Sequence, residues 1–267
     1  MAGDYDRLRP GPPDVALDWL VPEGCATAVE LGAGTGLFTR ALARRAGQVI
    51  AVEPDDRMRA VLAARSPGVH AVAGRGEQIP VPDASADGVF VSSAWHWLDH
   101  QVAVPEIARV LRDGGRLGVI WTSRDRRVDW VAELDTLGRP GGSQRAQDDG
   151  GRRRHEATLP ADAPFGNPAT ASFTFTRTMT VDDVVAWLGT YSRVITASDE
   201  ERAAVRARAR EALLPRADPN GDVEVPMRST CWRADREDRP SAPAERPAGH
   251  PDASVADTSQ ISLFTNG

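Results

Sequence analysis

A glycine-rich loop between a predicted strand and a predicted helix constrains the fold of this chain more than any other feature. Residues 29–36 read Val-Glu-Leu-Gly-Ala-Gly-Thr-Gly, so an apolar strand leads through three glycines into the helical segment 37–46. Glycines are needed there because the backbone turns tightly and a ligand must approach its amides without a Cβ in the way. The loop therefore predicts a ligand-binding α/β unit.

Apolar runs and helix-like segments alternate along the next 85 residues. This alternation indicates a parallel sheet with helices on its faces. A short helix is also predicted near Asp14, after a proline-rich segment. The predicted strands are 28–31, 49–52, 69–73, 88–92 and 116–121, and the predicted helices are 37–46, 57–64 and about 101–111, the last with a stop signal at Gly114-Gly115.

The second half of the chain has a different pattern. Residues 138–158 are rich in Gly, Arg, Gln and Asp and predict a mobile loop or lid. The alternating run 171–176 predicts a strand with one buried face, and 223–232 predicts a late strand. Two helices are expected to start at Thr180 and Ser198, the second with a capping box.

Composition excludes several classes of protein. All 32 basic residues are arginine, so lysine-dependent Schiff-base chemistry and a P-loop lysine are ruled out. The net charge of −6 argues against a nucleic-acid binder and favours a small-molecule partner. Two cysteines and no apolar run of membrane-spanning length predict a cytoplasmic protein that does not cross a membrane.

Two carboxylates accompany the glycine loop. A dinucleotide site of the G-x-G-x-x-G type would need glycine at position 37, where this chain has Leu37. Glu30, at the end of the first strand, adds an acceptor aimed at an amino group. Glu53 follows the second strand, where a carboxylate can accept both ribose hydroxyls. Together they predict a ligand that is a nucleoside carrying an amino acid.

These residues resemble motif I and the ribose-binding acid of class I S-adenosylmethionine-dependent methyltransferases. The resemblance continues through 74–83, 86–97 and 106–115, which are similar to the small-molecule (type 11) branch. It implies a doubly wound, Rossmann-like α/β fold with a seven-strand methyltransferase sheet and a helical cap drawn from the N-terminus and residues 124–215. We expect a methyltransferase domain over 1–235, with its core at 14–122 and cap and C-terminal elements at 123–235, and a disordered tail over 236–267.

The resemblance also implies a binding site for S-adenosyl-L-methionine. The segment 5–13 is similar to a Tyr-x-x-x-Arg-Pro segment that closes over the donor, although Pro12 replaces the usual aromatic residue. Arg75 occupies the position of the usual adenine contact, which shifts that role to Gly76 and Glu77. The expected donor-binding residues are Tyr5, Arg9, Glu30, Gly32, Ala33, Gly34, Gly36, Glu53, Pro54, Gly76, Glu77 and Ser93.

The binding site for the methyl acceptor is predicted just after the fourth and fifth strands. His96 is the candidate catalytic residue, either as a general base or as part of the pocket lining without proton transfer. Trp95, Trp97 and Trp121 are the candidate acceptor-binding residues. No metal is predicted, because His96, Asp99 and His100 have no further ligand nearby in sequence.

The predicted activity is methylation of a small molecule at O, N or C, in specialised metabolism. The main competing hypothesis is a protein of the same fold that binds S-adenosylmethionine without methyl transfer. A nucleotide-dependent oxidoreductase and a methyltransferase acting on RNA or protein are two further hypotheses. A cluster of charges at 124–127 predicts a solvated loop, or else a surface that attracts an acidic acceptor. The sequence predicts no oligomeric state.

Overall fold

A single sheet organises the part of the chain that the computed structural model describes, which is residues 8–9, 11–137, 157–189 and 197–237. The strand order is β3-β2-β1-β4-β5-β7-β6. Strands β1 to β5 are parallel, as predicted, while β7 is antiparallel to both β5 and β6. The strands are β1 (Thr27–Leu31), β2 (Gln48–Val52), β3 (His70–Val72), β4 (Ala86–Ser92), β5 (Leu111–Arg124), β6 (Ala169–Thr180) and β7 (Asp222–Asp235).

Helices cover both faces of the parallel part of the sheet. Helices α1, α2 and α3 lie on one face of the sheet, and α4 lies on the other. Successive residues of a strand point to opposite faces, so they belong to different apolar clusters on the two sides. The helices are α1 (Asp14–Leu20), α2 (Leu37–Leu42), α3 (Asp56–Arg65), α4 (His100–Val110), α5 (Asp129–Leu137), α6 (Val181–Leu188) and α7 (Asp199–Leu213). The doubly wound α/β fold is therefore confirmed.

Local capping signals place several helix starts. Thr180 accepts a hydrogen bond from the backbone N–H of Asp183 at 3.1 Å, and Ser198 forms the predicted capping box with Glu201. Helix α4 ends at Val110, which agrees with the predicted range of about 101–111. The predicted stop signal at Gly114-Gly115 is wrong, because the chain turns extended at once to begin β5. The two glycines instead lie in β5, where both bond to the backbone of Arg236.

A separate apolar cluster lies beyond the carboxyl end of β5. It joins α5, α6 and α7 to the ends of β6 and β7, with Leu8 also buried in it. The predicted cap is therefore present in the 124–215 region, but α1 is not part of it. Helix α1 packs against the sheet instead, with Leu17 and Leu20 completely buried there.

The chain stays attached to the domain just past β7. The backbone N–H of Glu237 donates to the carbonyl of Pro164 at 3.1 Å, and the Arg236 side chain bonds the Leu111 carbonyl. Residues 236 and 237 thus contact the domain, and the boundary at 235 stays a prediction. The predicted tail from 238 onward and the predicted loop from 138 to 156 lie outside the described residues.

Candidate active site

The glycine loop is folded back against β2 and opens toward the carboxyl edge of the sheet. The backbone N–H of Gly32 donates to the Val52 carbonyl at 2.9 Å, and Gly32 has a positive φ of 66°. A Cβ on Gly32 would lie 2.8 Å from the Cβ of Ala94, so only glycine fits there. A Cβ on Gly34 would meet no atom of the described residues within 4 Å. The tip of the loop therefore faces open space.

Glu53 stands beside that tip and is almost fully buried. One carboxylate oxygen accepts from the backbone N–H of Gly34 at 2.8 Å, and the other accepts from the N–H of Asp55 at 2.9 Å. Arg59 donates to the backbone carbonyl of Glu53 at 2.8 Å. A carboxylate has about four lone-pair sites, so each oxygen retains capacity for a further donor. The following residue, Pro54, is exposed.

Glu30 lies beneath the loop rather than at its surface. Its side chain points from β1 toward α2 and accepts a hydrogen bond of 2.5 Å from the Thr39 hydroxyl. Burial raises the pKa of Glu30 to about 8, with the negative charge of Glu53 acting in the same direction. Glu30 thus supports the loop through Thr39, and its expected contact with a ligand amino group stays a prediction. Thr39 was missed from sequence, although its position in the first turn of α2 was a usable signal.

The loop after β3 has a structural role at Glu77. One oxygen of its carboxylate accepts from the backbone N–H of Asp99 at 2.9 Å, so Glu77 holds the start of α4, and its contact with the donor stays a prediction. Gly76 is buried, and a Cβ there would lie 2.7 Å from Leu98. Arg75 is exposed at a tight turn closed by Gln78.

The turn after β4 is tied to β5. Ser93 has a positive φ of 56°, and its backbone N–H donates to the Ile120 carbonyl at 2.9 Å. Trp95 opens a short 3₁₀ turn, Trp95–Trp97, and is 1% exposed. Its ring stacks on His100 at 4.6 Å and approaches Trp232 at 6.4 Å. The prediction that Trp95 walls an open pocket is therefore corrected, because its ring is part of the core.

His96 and Trp97 are the exposed members of this turn. Their ring centroids are 4.8 Å apart, and Trp97 is 79% exposed. Trp121, near the end of β5, is buried. The sequence placed these three residues in one acceptor pocket, whereas the structure presents only His96 and Trp97 on the surface of this edge.

Charged residues occupy 124–127, at the end of β5 and just after it. The predicted solvated loop is wrong for the buried Arg124 and Asp125, whereas Arg126 and Arg127 are exposed. Arg124 is 2% exposed, forms an ion pair with Asp135 and lies 4.7 Å from the Trp187 ring. Asp125 is also buried and pairs with Arg127 at 2.7 Å, which holds its pKa below the usual range. This cluster therefore joins β5 to the cap.

Comparison with known proteins agrees with this geometry. The family described as "Methyltransferase domain" matches residues 29–119. An uncharacterized methyltransferase of Mycobacterium tuberculosis is 39% identical over 236 residues, which cover 87% of this chain and 92% of the relative. This chain belongs to the class I S-adenosylmethionine-dependent methyltransferases.

Two further comparisons extend over most of this methyltransferase. An uncharacterized methyltransferase-like protein of Schizosaccharomyces pombe is 30% identical over 250 residues, 88% of this chain and 93% of the relative. A solved structure from Anaeromyxobacter dehalogenans, assigned to the type II methyltransferases, has a TM-score of 0.63 at 24% identity and covers 85% of this chain and 97% of that one. That likeness shows the shared fold.

The residues present fit S-adenosylmethionine, the cofactor of this family. The open tip at Gly34 leaves room for a ligand against the backbone, and the Glu53 carboxylate beside it is fixed by two backbone donors. Arg9 is partly buried, whereas Tyr5 lies outside the described residues.

Other ligand classes find less support in the described part of the chain. Its His, Cys, Asp and Glu side chains form no group of three that could hold a metal ion. His100 is bonded to the Trp95 carbonyl at 3.0 Å, and Asp99 caps α4.

None of the described helices is both long and apolar enough to span a bilayer.

Proposed function

We propose that this methyltransferase transfers the methyl group of S-adenosylmethionine to a small-molecule acceptor that binds over the carboxyl ends of β4 and β5. The observation that carries the proposal is the Glu53 carboxylate, buried at the end of β2 and held by Gly34 and Asp55 next to the open loop tip. In this position it accepts the ribose hydroxyls of the donor, while the loop amides face the amino-acid part.

The turn 93–97, which lies beside the glycine loop, indicates where the methyl acceptor binds. Gly32 contacts Ala94, so the turn 93–97 borders the donor directly. Ser93 lies at this border, and His96 and Trp97 form the adjoining surface. The bound donor supplies an electrophilic methyl group on a sulfonium. The protein's contribution is to hold the acceptor atom in line with it and exclude water. A base is needed only when the acceptor atom is protonated, so O, N and C acceptors all fit.

The chemistry of the cysteines supports a cytoplasmic location. Cys25 and Cys231 are both buried and free. Burial raises the pKa of Cys25 to about 11 and that of Cys231 to about 12. Thiols with such pKa values are unreactive, which leaves no cysteine for catalysis, and the absence of a disulfide between the two is what fits a reducing compartment.

Two measurements test the proposal. Calorimetric titration with S-adenosylhomocysteine and with NAD is expected to show binding of the first alone. A mass-spectrometric screen of small metabolites with the enzyme and S-adenosylmethionine is expected to find a product heavier by one methyl group. Donor binding without any methylated small molecule would overturn the proposed transfer and favour a protein that binds the donor for another purpose.

A further inference from the structure

Arg228 lies at the same edge of the sheet as the donor loop and takes no part in the site described above. It is on β7, directly opposite Ser123 of β5 and Thr174 of β6. Directly paired residues point their side chains to the same face of a sheet. Arg228 therefore stands on one face of the sheet, one residue before the end of β5.

The guanidinium of Arg228 is only partly satisfied. One Nη donates to the Ser172 hydroxyl at 2.8 Å. The Nε atom is buried and has no hydrogen-bond partner within residues 8–9, 11–137, 157–189 and 197–237. Leaving a buried donor unpaired is unfavourable, and more so for a charged group. The guanidinium therefore has hydrogen-bonding capacity that the described residues do not use.

Asp125, an acid whose charge interacts with Arg228, is already engaged. Both of its oxygens bond to the Arg127 side chain, at 2.9 Å and 2.7 Å. The strand positions paired with Arg228 and with its neighbours on the same face carry hydroxyl groups, of which the Ser172 hydroxyl bonds to the guanidinium. The hydroxyl-bearing residues of this surface are Ser123, Ser172, Thr174 and Thr230. A cation among hydroxyl groups suits an anionic group.

The separation between Arg228 and the donor loop sets what such a group can be. The loop contacts Ala94 just after β4, and β5 lies between β4 and β7. The two strand spacings from β4 to β7 correspond to about 10 Å. Arg228 is also paired with Ser123, three residues beyond the partner of the last residue of β4, which adds about 10 Å along the strands. An acceptor seated at the end of β4 would thus reach Arg228 with a part several bonds away from the atom next to the donor.

We propose that Arg228 binds a carboxylate or phosphate group of the acceptor at a position remote from the methylated atom, and so selects acidic acceptors. The planar guanidinium can offer two parallel N–H groups to such an anion, which a lysine cannot do. The inference rests on the proposed function, because it names the substrate class of the same site. Arg228 is a specificity residue here and does not act on the methyl group.

The test uses the whole enzyme saturated with S-adenosylhomocysteine. Succinate, inorganic phosphate and the neutral match succinamide are each titrated by calorimetry into the wild type and the variants Arg228→Gln and Arg228→Lys. Arg206→Gln, at an exposed position on α7, is the matched control. We expect saturable binding of succinate or phosphate and none of succinamide. Binding should weaken at least about tenfold in Arg228→Gln, less in Arg228→Lys, and stay unchanged in Arg206→Gln.

The outcomes separate this inference from the proposed function. Anion binding that is equal in the wild type and Arg228→Gln, or absent from the wild type, overturns the role of Arg228. Failure of the wild type to bind S-adenosylhomocysteine would instead overturn the proposed function. Whichever of succinate and phosphate saturates the enzyme identifies the anion class. A melting temperature for each variant, together with its unchanged S-adenosylhomocysteine affinity, establishes that the substituted protein is folded.

Discussion

The carboxylate of Glu53 accepts a hydrogen bond of 2.8 Å from the backbone N–H of Gly34, so the segments that follow β2 and β1 are joined at the proposed donor site. A second bond from Asp55 fixes the other oxygen. The acid is thereby held in place before any ligand binds, which lowers the entropic cost of binding.

Replacing Glu53 by Gln or Ala is expected to weaken binding of S-adenosylhomocysteine by at least about tenfold, because hydrogen bonds to a charged acceptor contribute about 1.5 to 3 kcal/mol each. Calorimetric titration measures the loss. Glu23→Gln, at an exposed turn, is the control and should bind normally. An unchanged affinity in a folded Glu53→Ala protein would remove Glu53 from the site.

Gly32→Ala is expected to weaken donor binding at least about tenfold, because the new Cβ would lie 2.8 Å from Ala94. Gly68→Ala is a matched control, since Gly68 also has a positive φ but no described atom within 4 Å of a Cβ there. Both variants carry about 1 to 2 kcal/mol of backbone strain. Only Gly32→Ala should lose affinity, and Ala94→Gly in the same chain should restore part of it. Equal losses in the two single variants would mean that backbone strain, not contact with Ala94, is responsible.

Stability is expected to depend on pH through Glu30. The folded pKa of about 8 lies above the ordinary value of 4.5, so the folded state binds the extra proton between these pH values. The contribution of this proton to the free energy of unfolding is therefore fully present below about pH 4.5 and is lost as the pH rises through about 8. Glu30→Gln keeps an acceptor for Thr39 and stays neutral.

Thermal melts at pH 5 and pH 8.5, chosen as roughly the two ends of this window, test the effect. The melting temperature of Glu30→Gln should exceed that of the wild type more at the higher pH. The idea fails if the two proteins lose stability in parallel.

Arg109→Ala is expected to destabilise the protein by about 1 to 3 kcal/mol, because it leaves backbone carbonyls of the loop after β3 without a donor. Arg109 donates to the carbonyls of Ile79 and Val81, both at 3.0 Å, and pairs with Glu106 at 2.7 Å. Urea unfolding measures the change. Arg44→Ala, whose side chain is 58% exposed, should change stability by less than about 0.5 kcal/mol. A similar small effect for both would show that the Arg109 contacts contribute little.

His96→Gln is expected to keep kcat within about threefold of the wild type and to leave its pH profile flat, because His96 lies on an exposed turn beside Trp97 and we assign it to pocket lining. His70→Gln, an exposed histidine on β3, is the control. Steady-state kinetics on an acceptor found in the metabolite screen measure both. A loss of about 10²- to 10⁴-fold in kcat would instead identify His96 as a general base.

Local chemistry was enough to predict much of this fold. The five parallel strands follow from runs of apolar residues, and the starts of α6 and α7 follow from Thr180 and Ser198, whose partners lie three residues away. The glycine loop is equally local, since its turn and its positive φ values depend on residues 32 to 36. Each of these signals acts over a few residues, so it is visible in the sequence.

Other features depended on contacts between distant parts of the chain. Nothing in the Trp-His-Trp run distinguishes the buried Trp95 from the exposed Trp97, because His100 and Trp232 determine which ring is covered. Arg228 reaches the edge of the site only because β7 inserts between β5 and β6, which brings it beside Ser172, 56 residues away. The sequence by itself determined which segments form strands, helices and the donor loop. Only the tertiary structure decided which polar and aromatic side chains those segments bury or present, because burial and pairing arise from packing between elements.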